Sequence, residues 1–226
     1  MGAATARLMV AEGAQVILGD ILPEVEQTAA SLGHKAIAVL LDVTDEQSWR
    51  DAVAQGEAHF GKIDVLVNNA GILLMDELGK TTSEIYRKVN DVNAFGCFLG
   101  MRETQPALKR AGGGSIVNLS SVAARLGAPG QYVDYAASKG AIDSFTTGLA
   151  REVAAEGIRV NAVRPGIIDT DIHASGGQPN RAHESAVLIP MQRPGSSDEV
   201  AAAIVWLLSD AAAYTTGAIL DVSGGR

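Results

Sequence analysis

The chain alternates short, nearly continuous apolar runs with longer segments whose apolar residues recur at helical spacing, and this alternation constrains the fold more than any other feature. The runs are Gln15 to Leu18, Lys35 to Leu41, Ile63 to Val67, Ser115 to Leu119, Arg159 to Val163 and Ala218 to Asp221. Strands that lack polar alternation are buried on both faces, the environment of a parallel sheet covered by helices on each side. Between the runs the spacing predicts helices over Ala3 to Glu12, from Pro23 to Gly33, up to about Phe60, from about Ser83 to Ala111, from Tyr135 down to Gly157, and one capped by Asp198. The expected architecture is α/β, a doubly wound parallel sheet in a single domain spanning 1–226, since no repeat, low-complexity tract or linker divides the chain. On such sheets ligands sit beyond the carboxyl ends of the strands, where the strand order reverses. Asp20, Asp42, Asn68, Ser121 and Pro165 all fall at or just past predicted strand ends.

Composition narrows the functional classes. A chain of 226 residues with 47% apolar content can bury a substantial core. A net charge of -8 gives no support to a nucleic-acid or anionic-membrane partner. The single cysteine, Cys97, excludes an intrachain disulfide and suits a reducing compartment. Lying among Phe95, Phe98 and Leu99, it reads as packing rather than as a reactive thiol. No basic-then-apolar leader opens the chain and no apolar run is long enough to span a bilayer, so the expected address is the cytoplasm. His34, His59, His173 and His183 lack metal-ligand spacing, so no metal site is expected. No Gly-x-Ser-x-Gly turn marks a hydrolase nucleophile.

The chemistry concentrates in Tyr135-Ala136-Ala137-Ser138-Lys139, with Ser121 upstream. Residues four apart on a helix share a face, so the phenol of Tyr135 and the ammonium of Lys139 stand one turn from each other. A free phenol ionises near pH 10, and bringing it to about 7 takes roughly 4 kcal/mol. One positive charge about 4 Å away at an effective dielectric near 20 supplies about that much. The pair therefore reads as a general acid/base, although many solvated helix faces carry Tyr-x-x-x-Lys with no function.

Its company makes it specific. Asn68-Asn69-Ala70-Gly71 closes a strand, Asn93 sits in Val92-Asn93-Ala94-Phe95-Gly96, Ser121 ends Ile116-Val117-Asn118-Leu119-Ser120-Ser121, and Pro165-Gly166 with Thr170 follows another strand. In that order the set resembles the short-chain dehydrogenase/reductase family, from Gly2 to Gly225. The resemblance implies a Rossmann-like fold, a homo-oligomer, and hydride transfer between a nicotinamide and a small alcohol or carbonyl substrate. It implies Tyr135 as acid/base, Lys139 lowering its pKa and bonding the nicotinamide ribose, Ser121 holding the substrate oxygen, and Asn93 anchoring a water that links Lys139 to solvent. Asp42 and Val43 would hold the adenine, Asn69, Ala70 and Gly71 would pack along the cofactor, and Ile168 and Thr170 after Pro165-Gly166 would hold the carboxamide. Asp20, closing its strand with no arginine in Ile21-Leu22, favours NAD over NADP, because a carboxylate accepts the ribose hydroxyls and repels a 2′-phosphate. Asp20 also reads as an ordinary turn residue, and Asp42 as a helix cap. Ile72, Leu73, Leu74, Arg125, Tyr132 and the segment from Ile172 to Met191 are expected to line the substrate pocket, with Ser175 to Pro179 as a lid.

One departure stands at the front. The family opens with a central strand and a glycine-rich turn that cradles the pyrophosphate, and here only Gly2 answers to it. The expectation is that this first central strand and most of the turn are missing, through a start assigned inside the turn or a real truncation. Two alternatives stay open beside the NAD enzyme: an NADPH-linked 3-oxoacyl reductase and a catalytically silent family member.

Overall fold

The structure, a computed structural model, describes residues 1–170, 172, 177–178 and 180–226. His173 and Ser175, Gly176 and Pro179 of the expected lid lie outside the described residues. In chain order come α1 (Gly2–Ala11), β1 (Val16–Asp20), α2 (Val25–Ser31), β2 (Ala36–Leu40), α3 (Glu46–Phe60), β3 (Val65–Asn68) and α4 (Ser83–Asn90). After a π-helical turn, Asp91–Phe95, follow α5 (Gly96–Arg110), β4 (Gly114–Leu119), α6 (Ala123–Leu126), α7 (Val133–Val153) and β5 (Ile158–Pro165). The chain then forms α8 (Arg181–Glu184), α9 (Ser197–Leu208) and β6 (Ile219–Val222).

Every strand pairing is parallel, as the unalternating apolar runs require. The strands form two sheets, β1-β2 and β3-β4-β5-β6. Val16 stands opposite Ala36, Val65 opposite Ser115, Gly114 opposite Ile158 and Ala162 opposite Ile219. Among the described residues β1 and β3 are not bonded to each other, and each carries one edge without a partner strand.

Helices cover both faces. In β4 the pleat sends Ile116 into a core with Trp49, Leu99, Leu108, Ile142 and Val153 from α3, α5 and α7. Val117 and Leu119 point the other way, into a core with Val200, Ile204 and Leu207 of α9. The wholly buried Asn118 is an amide on the first of these faces, and it is satisfied there: Asn68 Nδ2 donates to its Oδ1 at 2.9 Å and its own Nδ2 donates to Thr146 Oγ1 at 3.0 Å. These bonds tie β3, β4 and α7 together beneath the strand ends.

Three local expectations are corrected. The helix expected over Ser83 to Ala111 is interrupted by the π turn, where one extra residue per turn re-aims Asn93 into the protein. Asp198 lies in the first turn of α9; the cap is Ser196, which exchanges bonds with Glu199 in a capping box. Asp42 does not cap α3, because Asp45 does so by accepting from Gln47 N and Ser48 N, while Asp42 Oδ1 accepts from Thr44 N and Thr44 Oγ1. A cap must immediately precede the first helical turn, and Asp45 stands there.

Gly100 is where α5 approaches β3 and α3 most closely: a Cβ there would meet Asn68 Oδ1 and the Trp49 ring. Gly100→Ala is expected to cost about 1–3 kcal/mol by overpacking, read as a lower urea midpoint with unchanged m.

Candidate functional site

The carboxyl ends of β3, β4 and β5 open into a cavity of about 260 Å³, and its wall brings together much of the expected set: Asn69, Gly71, Ser121, Tyr135, Lys139 and Pro165. Gly166, Ile168 and Thr170 complete the same wall after β5. This is the position that a parallel sheet offers a ligand.

The link between α7 and β4 sets the geometry. Lys139 is buried and donates from Nζ to the Leu119 carbonyl at 2.7 Å, while Ser120 Oγ donates to the Lys139 carbonyl at 3.2 Å. Ser120, adjacent to the site serine, therefore stitches strand to helix. Arg164 of β5 grips Asp143 of α7 from Nη2 at 2.7 Å and Nε at 3.1 Å, a largely buried pair that holds the helix from the other side. With α7 fixed, the Tyr135 hydroxyl meets the Ser121 hydroxyl, and Ser121 Oγ accepts from Ala123 N at 3.1 Å.

Electrostatics depart from the sequence arithmetic. Burial pushes the Tyr135 phenol up to about 12; the Ser121 hydrogen bond opposes this and the neighbouring Tyr132 adds to it. Lys139, by the same burial, falls from 10.5 to about 8. The expectation that Lys139 alone brings Tyr135 near neutrality is corrected here. Its Nζ sits 5.7 Å from the centre of the Tyr135 ring and spends itself on Leu119, and desolvation outweighs the charge.

Asn93 is wholly buried. It accepts from Ile72 N at 2.8 Å and donates to the Ile72 carbonyl at 3.0 Å and to Ser138 Oγ at 3.1 Å. Ser138, not singled out from sequence, donates to the Tyr135 carbonyl at 2.7 Å and so links Asn93 to the first turn of α7. Having no side chain, Gly71 leaves a gap beside both groups: a Cβ there would lie 3.3 Å from Asn93 Oδ1 and 3.4 Å from Lys139 Nζ.

Other expected positions fall elsewhere. Asp20, exposed at the end of β1, is outside the cavity wall, and its Oδ1 accepts from Leu22 N at 3.1 Å. Asp42, Val43 and the exposed Ala70 are outside it as well, Val43 accepting from Trp49 Nε1 through its carbonyl. Of the expected substrate wall, Leu73, Tyr132 and Ile172 line the cavity, whereas Arg125 turns away to the Arg226 carbonyl and Asp221. Arg181, inside the expected segment from Ile172 to Met191, also lines the cavity, although nothing in its local pattern singles it out.

Fold and site define a short-chain dehydrogenase/reductase, and the comparisons agree. The family profile described as enoyl-(acyl carrier protein) reductase matches residues 1–226, and the chain belongs to the short-chain dehydrogenase/reductase family. It is 48% identical to the uncharacterized oxidoreductase YgfF of Escherichia coli, over 100% of this chain and 95% of that protein. It is 39% identical to a 3-alpha-(or 20-beta)-hydroxysteroid dehydrogenase of Mycobacterium tuberculosis, over 100% of this chain and 84% of that protein. The crystal structure of a 3-ketoacyl-(acyl-carrier-protein) reductase from Brucella melitensis complexed with NADH superposes with a TM-score of 0.93 at 32% identity, covering 100% of this chain and 93% of that one. The protein is an oxidoreductase acting on CH–OH groups.

The depressed Lys139 value has a signed consequence. Below about pH 8 the side chain is charged both folded and unfolded, and the full penalty of burying that charge is present. Between about 8 and 10.5 the unfolded chain holds more protons, so stability rises with pH by at most about 1.4 kcal/mol per unit. Relative to Lys139→Met, which has no proton to lose, the wild type is expected to gain urea stability from pH 8 to 9.5. A difference that stays flat with pH would contradict the burial of this ammonium.

Proposed function

We propose that the protein is an NAD(H)-dependent oxidoreductase that exchanges a hydride between a nicotinamide and a secondary alcohol or ketone. The observation that carries this reading is the meeting of the Tyr135 and Ser121 hydroxyls in a cavity whose floor holds buried Lys139.

The residues present fit the nicotinamide end of such a cofactor. Asn69 Oδ1 is buried with no hydrogen-bond partner among the described residues, Gly71 lies between Asn93 and Lys139, and Ile168 and Thr170 line the same cavity. Ile168 and Thr170 would hold the carboxamide and Lys139 the nicotinamide ribose. Asn69, Ala70 and Gly71 would run along the cofactor, Asp42 and Val43 would hold the adenine, and Asp20 the adenosine ribose. The cofactor, when bound, supplies or accepts the hydride at the nicotinamide C4.

Everything else falls to the chain. Ser121 holds the substrate oxygen. With its phenol pushed up to about 12 by burial, Tyr135 would donate its proton to a carbonyl oxygen in reduction and take one from the alcohol in oxidation. Lys139 keeps a proton below about pH 8 and would renew the one Tyr135 gives up, with Asn93 anchoring a water that links Lys139 to solvent. Leu73, Ala123, Leu126 and Ile172 give the substrate an apolar wall.

The hydroxysteroid and NADH-bound relatives support an alcohol or ketone and a nicotinamide. A second reading, an NADPH-linked 3-oxoacyl reductase, draws on the 3-ketoacyl reductase neighbour; the exposed carboxylate of Asp20 favours the first. Among the described residues β1 and β3 each carry an edge without a partner strand, and since unpaired edges are costly inside a sheet, a further parallel strand bearing a pyrophosphate turn would suit that position. Titrating this chain with NADH by fluorescence decides whether it binds the dinucleotide as it stands, and no binding would leave the catalytically silent reading.

Tyr135→Phe is expected to lower kcat by roughly 10²–10⁴-fold with NADH affinity near wild type; retained turnover removes Tyr135 from the proton step. Asp20→Ser is expected to shift the kcat/KM ratio toward NADPH by on the order of tenfold. A wild-type preference for NADPH would instead favour the second reading.

A further inference from the structure

Arg181 is a cation in the wrong solvent. Its side chain reaches the cavity from α8 and is only 8% exposed. Nη2 donates to Gln131 Oε1 at 2.6 Å and to the Tyr132 hydroxyl at 3.0 Å, and Nη1 donates to Gln178 Oε1 at 3.1 Å. Each of these acceptors is neutral. The guanidinium also lies over the Tyr132 ring, 5.3 Å from its centre. A guanidinium does not give up its charge in a protein, so a buried one without a counter-ion remains an unbalanced charge. Among the described residues no ion pair includes Arg181.

The cavity as a whole repeats this imbalance. Lys139, Arg181 and Arg226 line it, and no Asp or Glu among the described residues does. Asp76 and Glu77 share a second recess with Arg181 but form no ion pair with it among the described residues, and there Glu77 pairs with Lys80 at 3.3 Å. The Tyr132 ring links the cation to the reacting end, meeting Tyr135 edge-to-face at 5.6 Å between centres. Guanidinium, Tyr132 ring and Tyr135 thus stand in succession along the cavity.

We infer that Arg181 is an anion-recognising residue for the substrate, and that the substrate is a hydroxy or oxo acid whose carboxylate binds Arg181 while its alcohol or carbonyl carbon lies at Tyr135 and Ser121. The planar guanidinium fork matches a carboxylate, and a carboxylate would supply the counter-charge that the described protein residues do not. Neutral partners and the aromatic face keep the side chain oriented while the site is empty of that charge. This rests on the reading of Tyr135 and Ser121 as the reacting end.

The test measures binding and turnover separately. Calorimetry on the purified chain compares 4-oxopentanoate and 3-oxocyclohexanecarboxylate with their methyl esters, in wild type, Arg181→Gln and Arg181→Lys; the same pairs are then followed as NADH-linked reductions. The acid is expected to bind at least tenfold more tightly than its ester in wild type. That ratio is expected to fall to near one in Arg181→Gln and to be partly kept in Arg181→Lys. A purely structural role for Arg181 would weaken acid and ester together and leave the ratio unchanged, which overturns the inference, as does equal wild-type affinity for acid and ester. Inorganic phosphate displacing the acid at lower concentration would overturn the choice of a carboxylate. Acid selectivity in binding with no reduction of any ketone would sink the hydride-transfer reading alone, whereas reduction of esters as readily as acids would sink this inference alone.

Discussion

The reciprocal tie between the end of β4 and the first turns of α7 is the constraint on which the site depends. Lys139 gives its ammonium proton to Leu119 and receives a hydroxyl proton from Ser120 on its own carbonyl, so one residue is both donor and acceptor across the strand–helix junction. Both bonds are buried, where a lost partner leaves an unsatisfied polar group that costs about 1–3 kcal/mol. The tie fixes the rotation of α7 about its axis, and with it the direction of the Tyr135 hydroxyl. Asn93 and Ser138 repeat the device one turn earlier, and the Arg164–Asp143 pair repeats it from β5. A site built in this way is positioned by sheet and helix rather than by a loop.

That same burial explains the electrostatics. A Tyr and a Lys close together in water would each favour the other's charged form. Here both lie inside the protein, and desolvation drives each toward its neutral form, the phenol up and the ammonium down. The neutral phenol is a proton donor, and the amine is within reach of losing its proton near physiological pH. In the proposed reaction this pair would hand a proton outward to a substrate oxygen.

The charge on the other side of the cavity and the division of the sheet are both features of assembly. Arg181 is carried in by α8 to Gln131 and Tyr132, about fifty residues back along the chain, and with Gln178 these neutral groups surround a buried cation that has no ion pair among the described residues. Among the described residues the division into β1-β2 and β3-β4-β5-β6 leaves β1 and β3 each with an unpaired edge, while α1 packs on α9. Apolar packing of helices on strands thus persists across the division of the sheet, since packing acts through side chains and strand pairing through the backbone.

By itself the sequence determined the parallel α/β class, the order of its elements and the positions of Ser121, Tyr135 and Lys139 at one cavity. These follow from local rules: apolar runs that cannot alternate must be buried on both faces, and residues four apart share a helix face. Strand limits moved by up to two residues, because the end of a strand is decided by its neighbour's hydrogen bonds. Only the tertiary structure decided that Asn93 is aimed by a π turn, that Ser196 and Asp45 rather than Asp198 and Asp42 cap their helices, and that Arg125 leaves the pocket. It also reversed the sign of the Tyr135 shift, because the strength of a charge can be read from residue types, whereas the water removed around it depends on everything that packs there.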